Sequence, residues 1–224
     1  MTVFLDGPRM PPARGGKPDA LVVLLHGYGS NGADLIALAP YLAKALPGAH
    51  FTAPNAIEPV PGAPGGYQWF DIARLDPRML EAGVRAAAPS VDRFLDRELE
   101  RHGLDDSRLA LIGFSQGTMM ALHVGLRRAR PAAAILGFSG VLAGGASLQR
   151  EVRAAPPILL AHGDRDDVIP VTAMFDSADA LAAAGFSAQW HLSYGIGHGI
   201  GPDGIELAAQ FLSTYLKPQK TLLG

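Results

Sequence analysis

Residues 108–117 read Arg-Leu-Ala-Leu-Ile-Gly-Phe-Ser-Gln-Gly, an apolar run that passes abruptly into a helical pattern over 118–128. The apolar part has the length and composition of a strand buried on both faces, as in a parallel sheet. Gly113-Phe114-Ser115-Gln116-Gly117 is G-x-S-x-G. Between a strand and a helix, this motif makes a sharp turn that strains the serine backbone and lifts its hydroxyl clear of the sheet. A Cβ at Gly113 or Gly117 would crowd the neighbouring strand or helix. The helix behind Ser115 would also aim its positive end at any oxyanion formed there.

The same alternation extends in both directions. Strands are expected over 21–25, 50–53, 132–138, 157–161 and 187–193, and helices over 34–46, 171–184 and 203–216. A further helix is expected over 78–101, broken near Pro89. Residues 6–19 and 54–66, rich in Pro and Gly, read as an irregular lead-in and a loop. Gly144-Gly145, after a strand, reads as the continuation of a loop rather than a helix. Strands alternating with helices give an α/β chain with a mostly parallel twisted sheet of six or seven strands, helices on both faces and no large cap. One domain is expected over 1–224, with its core at about 20–216 and a frayed tail at 217–224.

Composition excludes several classes. The chain has 224 residues, 48% hydrophobic and 18% charged, so it is not a disordered chain. Folding a chain of this size buries roughly 70% of its surface, enough for one sizeable core. A net charge of −2 offers no basic field for nucleic acid. With no cysteine there are no disulfides, no thiolate metal sites and no thiol nucleophile. The N-terminus lacks the basic start and apolar run of a signal peptide. No apolar stretch approaches membrane-spanning length. A cytoplasmic location without membrane insertion is the resulting expectation.

A serine hydroxyl needs a base. Of seven histidines, His26 and His162 sit in His-Gly turns after strands, and His50 and His191 lie in strand-like stretches. His123 falls on the helix behind Ser115, and His102 precedes a helix-ending glycine. His198 remains, in the glycine-rich run Tyr194-Gly-Ile-Gly-His198-Gly-Ile-Gly201 after the last strand. It comes last in the order Ser, acid, His. The acid that orients it should come from Asp164, Asp166 or Asp167, and spacing does not choose among them. Two backbone amides should form an oxyanion hole. One is that of Gln116, after the nucleophile, and the other comes from Leu25-His26-Gly27-Tyr28-Gly29, where Tyr28 would donate. Asn31, Gly32 and Asp34 read as an ordinary helix start. Gly137-Phe138-Ser139-Gly140 imitates the first motif, but Val141 replaces its last glycine, so Ser139 reads as a strand-end residue. Gly27-x-Gly29-x-x-Gly32 lacks the acid that a dinucleotide site needs after the next strand. The histidine spacings show no metal-ligand set, and no cofactor is implied.

Leu-His-Gly-Tyr-Gly at 25–29, Gln-Trp-Phe-Asp at 68–71, Gly-Phe-Ser-Gln-Gly at 113–117, His-Gly-Asp-Arg-Asp-Asp-Val-Ile-Pro at 162–170 and Gly-His-Gly at 197–199 resemble the phospholipase/carboxylesterase family. That family includes acyl-protein thioesterases and small bacterial carboxylesterases. The resemblance spans about residues 20–216. It implies an α/β-hydrolase fold and a serine ester hydrolase whose catalytic residues are Ser115, Asp166 and His198, with Tyr28 and Gln116 as oxyanion donors. It also implies that Trp69 and Phe70 line an acyl pocket for a small ester substrate, the alternative being aromatic plugs under a long loop; Ile169, whose packing bears on pocket depth, is a further expected substrate contact. Two departures bear on acyl preference: Thr118 stands where many members have a second glycine, and Tyr28 where they have leucine. Short- to medium-chain esters are the expected substrates. Long-chain thioesters or lysophospholipids are the alternative, and a non-catalytic binding module on the same scaffold is the reading of another class. Homodimerisation is left open.

Overall fold

A computed structural model describes residues 4–72, 76–153 and 155–216, so the tail expected to fray at 217–224 lies outside the described residues. In chain order the elements begin with β1 (Arg9–Met10), β2 (Ala20–Leu25), α1 (Gly32–Ile36), α2 (Ala39–Leu42) and β3 (Ala49–Thr52). There follow β4 (Glu58–Pro59), β5 (Tyr67–Gln68), α3 (Pro77–His102), β6 (Leu109–Phe114), α4 (Gln116–Gly125) and β7 (Ala134–Phe138). The last are α5 (Gly145–Glu151), β8 (Ile158–Gly163), α6 (Thr172–Ala183), β9 (Ala188–Ser193) and α7 (Pro202–Tyr215).

Seven strands form one sheet in the order β1-β3-β2-β6-β7-β8-β9. All neighbours are parallel except β1, which runs antiparallel to β3 on the edge. The central strands are buried along their length, as continuous apolar runs require. Alternate residues serve opposite faces. Leu21, Val23, Leu25, Leu111 and Ile135 pack under α3 and α4. Val22, Leu24, Ile112 and Leu136 pack under α2 and α7. The sheet order reverses beside β2 and β6, and the loops at the carboxyl ends of these strands meet there, where ligands bind in such sheets.

Several local expectations change. The lead-in contributes β1, because Arg9 and Met10 pair with Thr52 and Phe51. The helix expected over 34–46 is split into α1 and α2. Pro40, in the first turn of α2, has no N–H to continue the ladder from α1. Pro89 does not break α3, which runs unbroken for 26 residues. It buries Leu80, Val84 and Ala87 before the proline and Val91, Phe94, Leu95 and Leu99 after it. That packing outweighs the roughly 3 kcal/mol that an interior proline costs. The 54–66 loop opens into the small β4–β5 ribbon. After Gly144, α5 forms where a plain loop was expected, with Gly144 itself in the left-handed region at φ 75°.

Candidate active site

Ser115 stands between β6 and α4 at φ 54° and ψ −115°, a strained conformation for any residue with a side chain. Two glycines allow the turn. A Cβ on Gly117 would lie 1.8 Å from the Leu25 carbonyl oxygen, and one on Gly113 would lie 2.3 Å from the Gly117 carbonyl oxygen. The strand and helix can therefore cross only with glycine at both places. Ser115 N–H is held by the Phe138 carbonyl at 2.8 Å. Thr118, at the atypical position, uses the space above Gly137 and Gly140, where any Cβ would strike its side chain. Its hydroxyl bridges the Gly113 and Phe138 carbonyls, both at 2.8 Å, and ties β6 to β7 behind the serine.

His198 arrives on the loop after β9. Its Nε2 is 3.0 Å from Ser115 Oγ and its Nδ1 is 2.8 Å from Asp166 Oδ2. A carboxylate can only accept, so Nδ1 carries the proton and Nε2 is free to accept from the serine hydroxyl. Asp166 is buried, whereas Asp167 is exposed. Asp164 is used elsewhere, its carboxylate accepting from the Gly195 amide at 2.6 Å. Burial works to raise the Asp166 carboxyl. The His198 hydrogen bond and the amides of Ile169 and Val168 more than offset it and hold the group below its ordinary range. Asp166 is thereby kept ionised beside the imidazole.

Three groups given no catalytic part by the sequence, two read as turn histidines and one as a strand-end serine, brace this arrangement. His162 Nε2 lies 2.9 Å from the Ile169 carbonyl and 3.1 Å from Asp166 Oδ2, pinning the acidic loop. Ser139, at φ 46°, repeats the strained geometry of Ser115 one strand over. Its hydroxyl donates to the Gly199 carbonyl at 3.0 Å and so anchors the residue after His198. His26 donates from Nδ1 to the Gly27 carbonyl at 2.7 Å and accepts the Ala56 amide at Nε2, at 2.9 Å. Burial lowers its pKa and keeps it neutral for both bonds. Each was visible in a quoted segment, but only the contacts show what it does.

The loop after β2 lies against the serine, since a Cβ on Gly27 would fall 3.2 Å from that of Ser115. Gly29 N–H is taken by the Tyr67 carbonyl and Ser30 N–H by Gly27, while Tyr28 N–H has no acceptor among the described residues. Gln116 opens α4, so its amide has no intrahelical acceptor. These are the two amides expected as donors, and the Tyr28 ring itself is exposed. The Gln116 side chain is not idle: Oε1 accepts from Trp69 N–H at 2.9 Å and Nε2 donates to the Phe70 carbonyl at 2.7 Å.

Trp69 lies buried beneath the loop and is not among the residues lining the cavity at Ile169. It is 1% exposed, with its indole N–H donating to the His26 carbonyl at 2.8 Å. Burying that ring beneath the loop fixes the backbone that bears Tyr28. Phe70 is likewise buried, its ring against Gly83 of α3. Of the three residues expected to contact substrate, Ile169 alone lines a cavity of about 590 Å³. Its other walls come mainly from the start of α3, residues 141–146 and the start of α6. Neither Ser115 nor His198 is among the residues lining it; its link to them is Ile169, whose amide donates to Asp166.

The arrangement can activate a hydroxyl, hold an imidazolium and bind an oxyanion. No described helix is long and apolar enough to cross a membrane. The phospholipase/carboxylesterase family model matches residues 12–216. Esterase YpfH of Escherichia coli is 29% identical over 86% of this chain and 81% of its own. An acyl-protein thioesterase 1 homolog of Dictyostelium discoideum is 27% identical over 88% and 91%. The crystal structure of esterase PE8 superposes with a TM-score of 0.91 at 43% identity, covering 96% of this chain and all of that one. The chain thus belongs to the phospholipase/carboxylesterase family of α/β-fold serine hydrolases.

Proposed function

We propose that the protein is a serine carboxylesterase that hydrolyses short- to medium-chain carboxylic esters by way of an acyl-enzyme. One observation carries this reading: the hydrogen-bonded chain Ser115–His198–Asp166, with the serine on a strained turn at the head of α4. Ser115 Oγ attacks the ester carbonyl as His198 Nε2 takes its proton. Asp166 holds the imidazole in the required tautomer and stabilises the imidazolium. The Tyr28 and Gln116 amides receive the tetrahedral oxyanion, each worth about 3 kcal/mol. His198 returns the proton to the leaving alcohol, then activates the water that releases the acid. This chemistry requires no cofactor, and the cysteine-free sequence suits a cytoplasmic setting.

The apolar cavity beside Ile169 favours a second reading, hydrolysis of long-chain esters or thioesters. A volume of about 590 Å³ falls within the range of dedicated ligand pockets and exceeds what a short acyl group fills. Initial rates on p-nitrophenyl esters from acetate to palmitate, with Ser115→Ala as the blank, separate the two. A maximum at short chains supports the first reading and a maximum at long chains the second. Equal rates for wild type and Ser115→Ala overturn both.

A further inference from the structure

A second cluster of chemically capable side chains lies away from Ser115, near the amino end of the sheet. His50, on β3, meets Glu98 and His102, which lie one helical turn apart at the end of α3. One nitrogen of each imidazole and a Glu98 carboxylate oxygen all lie within 4.8 Å of one another. The two rings are 4.2 Å apart, centroid to centroid. His50 is 8% exposed and Glu98 1%. The Nε2 atoms of both histidines are shielded from solvent, and neither has a hydrogen-bond partner among the described residues. Two orphaned imidazole nitrogens in one buried cluster are unusual, because each such group costs on the order of 1–3 kcal/mol if nothing meets it.

We propose that His50, Glu98 and His102 form a binding site for one divalent transition-metal cation of the zinc class, clamping the end of α3 to β3. Two imidazoles and one carboxylate are a common zinc donor set, with water completing the tetrahedron. Nitrogen donors select zinc, cobalt or nickel over magnesium and calcium, which prefer oxygen. Zinc bonds of about 2.0 Å place ligand atoms roughly 3.3 Å apart. The cluster therefore closes slightly around the ion, by side-chain rotation. Sequence spacing conceals this set, because His50 and the α3 pair are brought together only by the packing of α3 against the sheet.

The surrounding charges set its strength. Arg9 holds both oxygens of Glu98, at 2.9 and 3.2 Å, and Arg101 reaches the same two at 3.1 and 3.5 Å. Arg9 is in turn balanced by Asp6 at 2.7 Å. A carboxylate has about four lone-pair sites, so Glu98 can keep Arg9 and accept a cation where Arg101 swings away. The cation must nonetheless enter beside two guanidinium groups, which weakens it relative to a free donor set. Removing Arg101, the more exposed of the two, should therefore tighten binding.

The test is calorimetric titration of chelator-treated protein with zinc chloride in a non-coordinating buffer, with magnesium chloride as the comparison. Thermal unfolding is followed in parallel. One zinc per chain and a rise in Tm with zinc are expected, since a cation that binds only the folded state stabilises it. Magnesium should do neither. His102→Ala, at a half-buried helix end, should weaken zinc binding at least tenfold and abolish the rise in Tm. Arg101→Ala should tighten binding several-fold. His191→Ala, which removes an exposed His–Asp pair elsewhere, should change nothing. Absence of saturable zinc binding overturns the proposal, as does binding undiminished in His102→Ala.

Discussion

The side-chain oxygen of Gln116 accepts the backbone N–H of Trp69 at 2.9 Å, joining the residue after the serine to the buried strut beneath the Tyr28 loop. The same side chain donates to the Phe70 carbonyl. A residue expected to act only through its backbone amide thus also holds the opposite wall of the proposed oxyanion site. Gln116→Ala would orphan one buried N–H and one buried carbonyl, each costing about 1–3 kcal/mol. We expect a clear loss of stability in urea unfolding and at least a tenfold fall in kcat. Wild-type stability and rate in this variant would show the strut to be irrelevant.

Asp166 is the acid that meets His198, while Asp164 serves the Gly195 amide and Asp167 faces solvent. Asp166→Asn should lower kcat by about 10⁴, by analogy with the protease triad. Asp167→Asn should leave the rate within a few fold. Asp164→Asn should fall between them, because it loosens the loop that carries His198. Steady-state rates of the three variants check this order, and a large loss at Asp167 with a mild one at Asp166 would reverse the assignment.

The strain at Ser115 separates stability from activity. Ser115→Ala should abolish turnover, by on the order of 10⁶ in kcat, while leaving a Cβ at φ 54°. Ser115→Gly should abolish turnover as well but remove the strain, and so be more stable than Ser115→Ala by about 1 kcal/mol. Differential unfolding of the two inactive variants reads this directly. Equal midpoints would mean that the turn stores no strain.

Burial pushes the His123 imidazole down to about 4 from 6.5, aided by the nearby Arg127 and Arg85. The folded state therefore holds His123 neutral while the unfolded chain takes up a proton below its own pKa. Its full stability contribution is present above pH 6.5 and is lost as pH falls from 6.5 to about 4. The loss amounts to about 3 kcal/mol across that window. Replacing His123 by Gln should flatten this part of the stability–pH curve. Identical slopes for the two proteins between pH 7 and 4.5 would refute the effect.

Much of the molecule was written locally. The strand–elbow–helix unit around Ser115, the alternation of apolar runs with helices and the glycine-rich loop of His198 each follow from neighbouring residues. The parallel sheet and the serine position were therefore legible before any contact was known. Elements whose stability comes from distant packing were not. Pro89 looked like a break until both halves of α3 were seen to bury apolar faces on one sheet. Arg9 and Met10 looked irregular until β3 supplied their partners. Spacing left three aspartates open, because which carboxylate meets His198 depends on how the β8 and β9 loops lie together. The family resemblance offered Trp69 and Phe70 either as pocket walls or as plugs under the loop, and the α3 packing and the Gln116 clamp bury both. Sequence thus determined which chemistry the chain carries and on which elements. Tertiary structure decided which groups touch, because hydrogen bonds and burial act over a few ångströms between residues that the chain itself holds far apart.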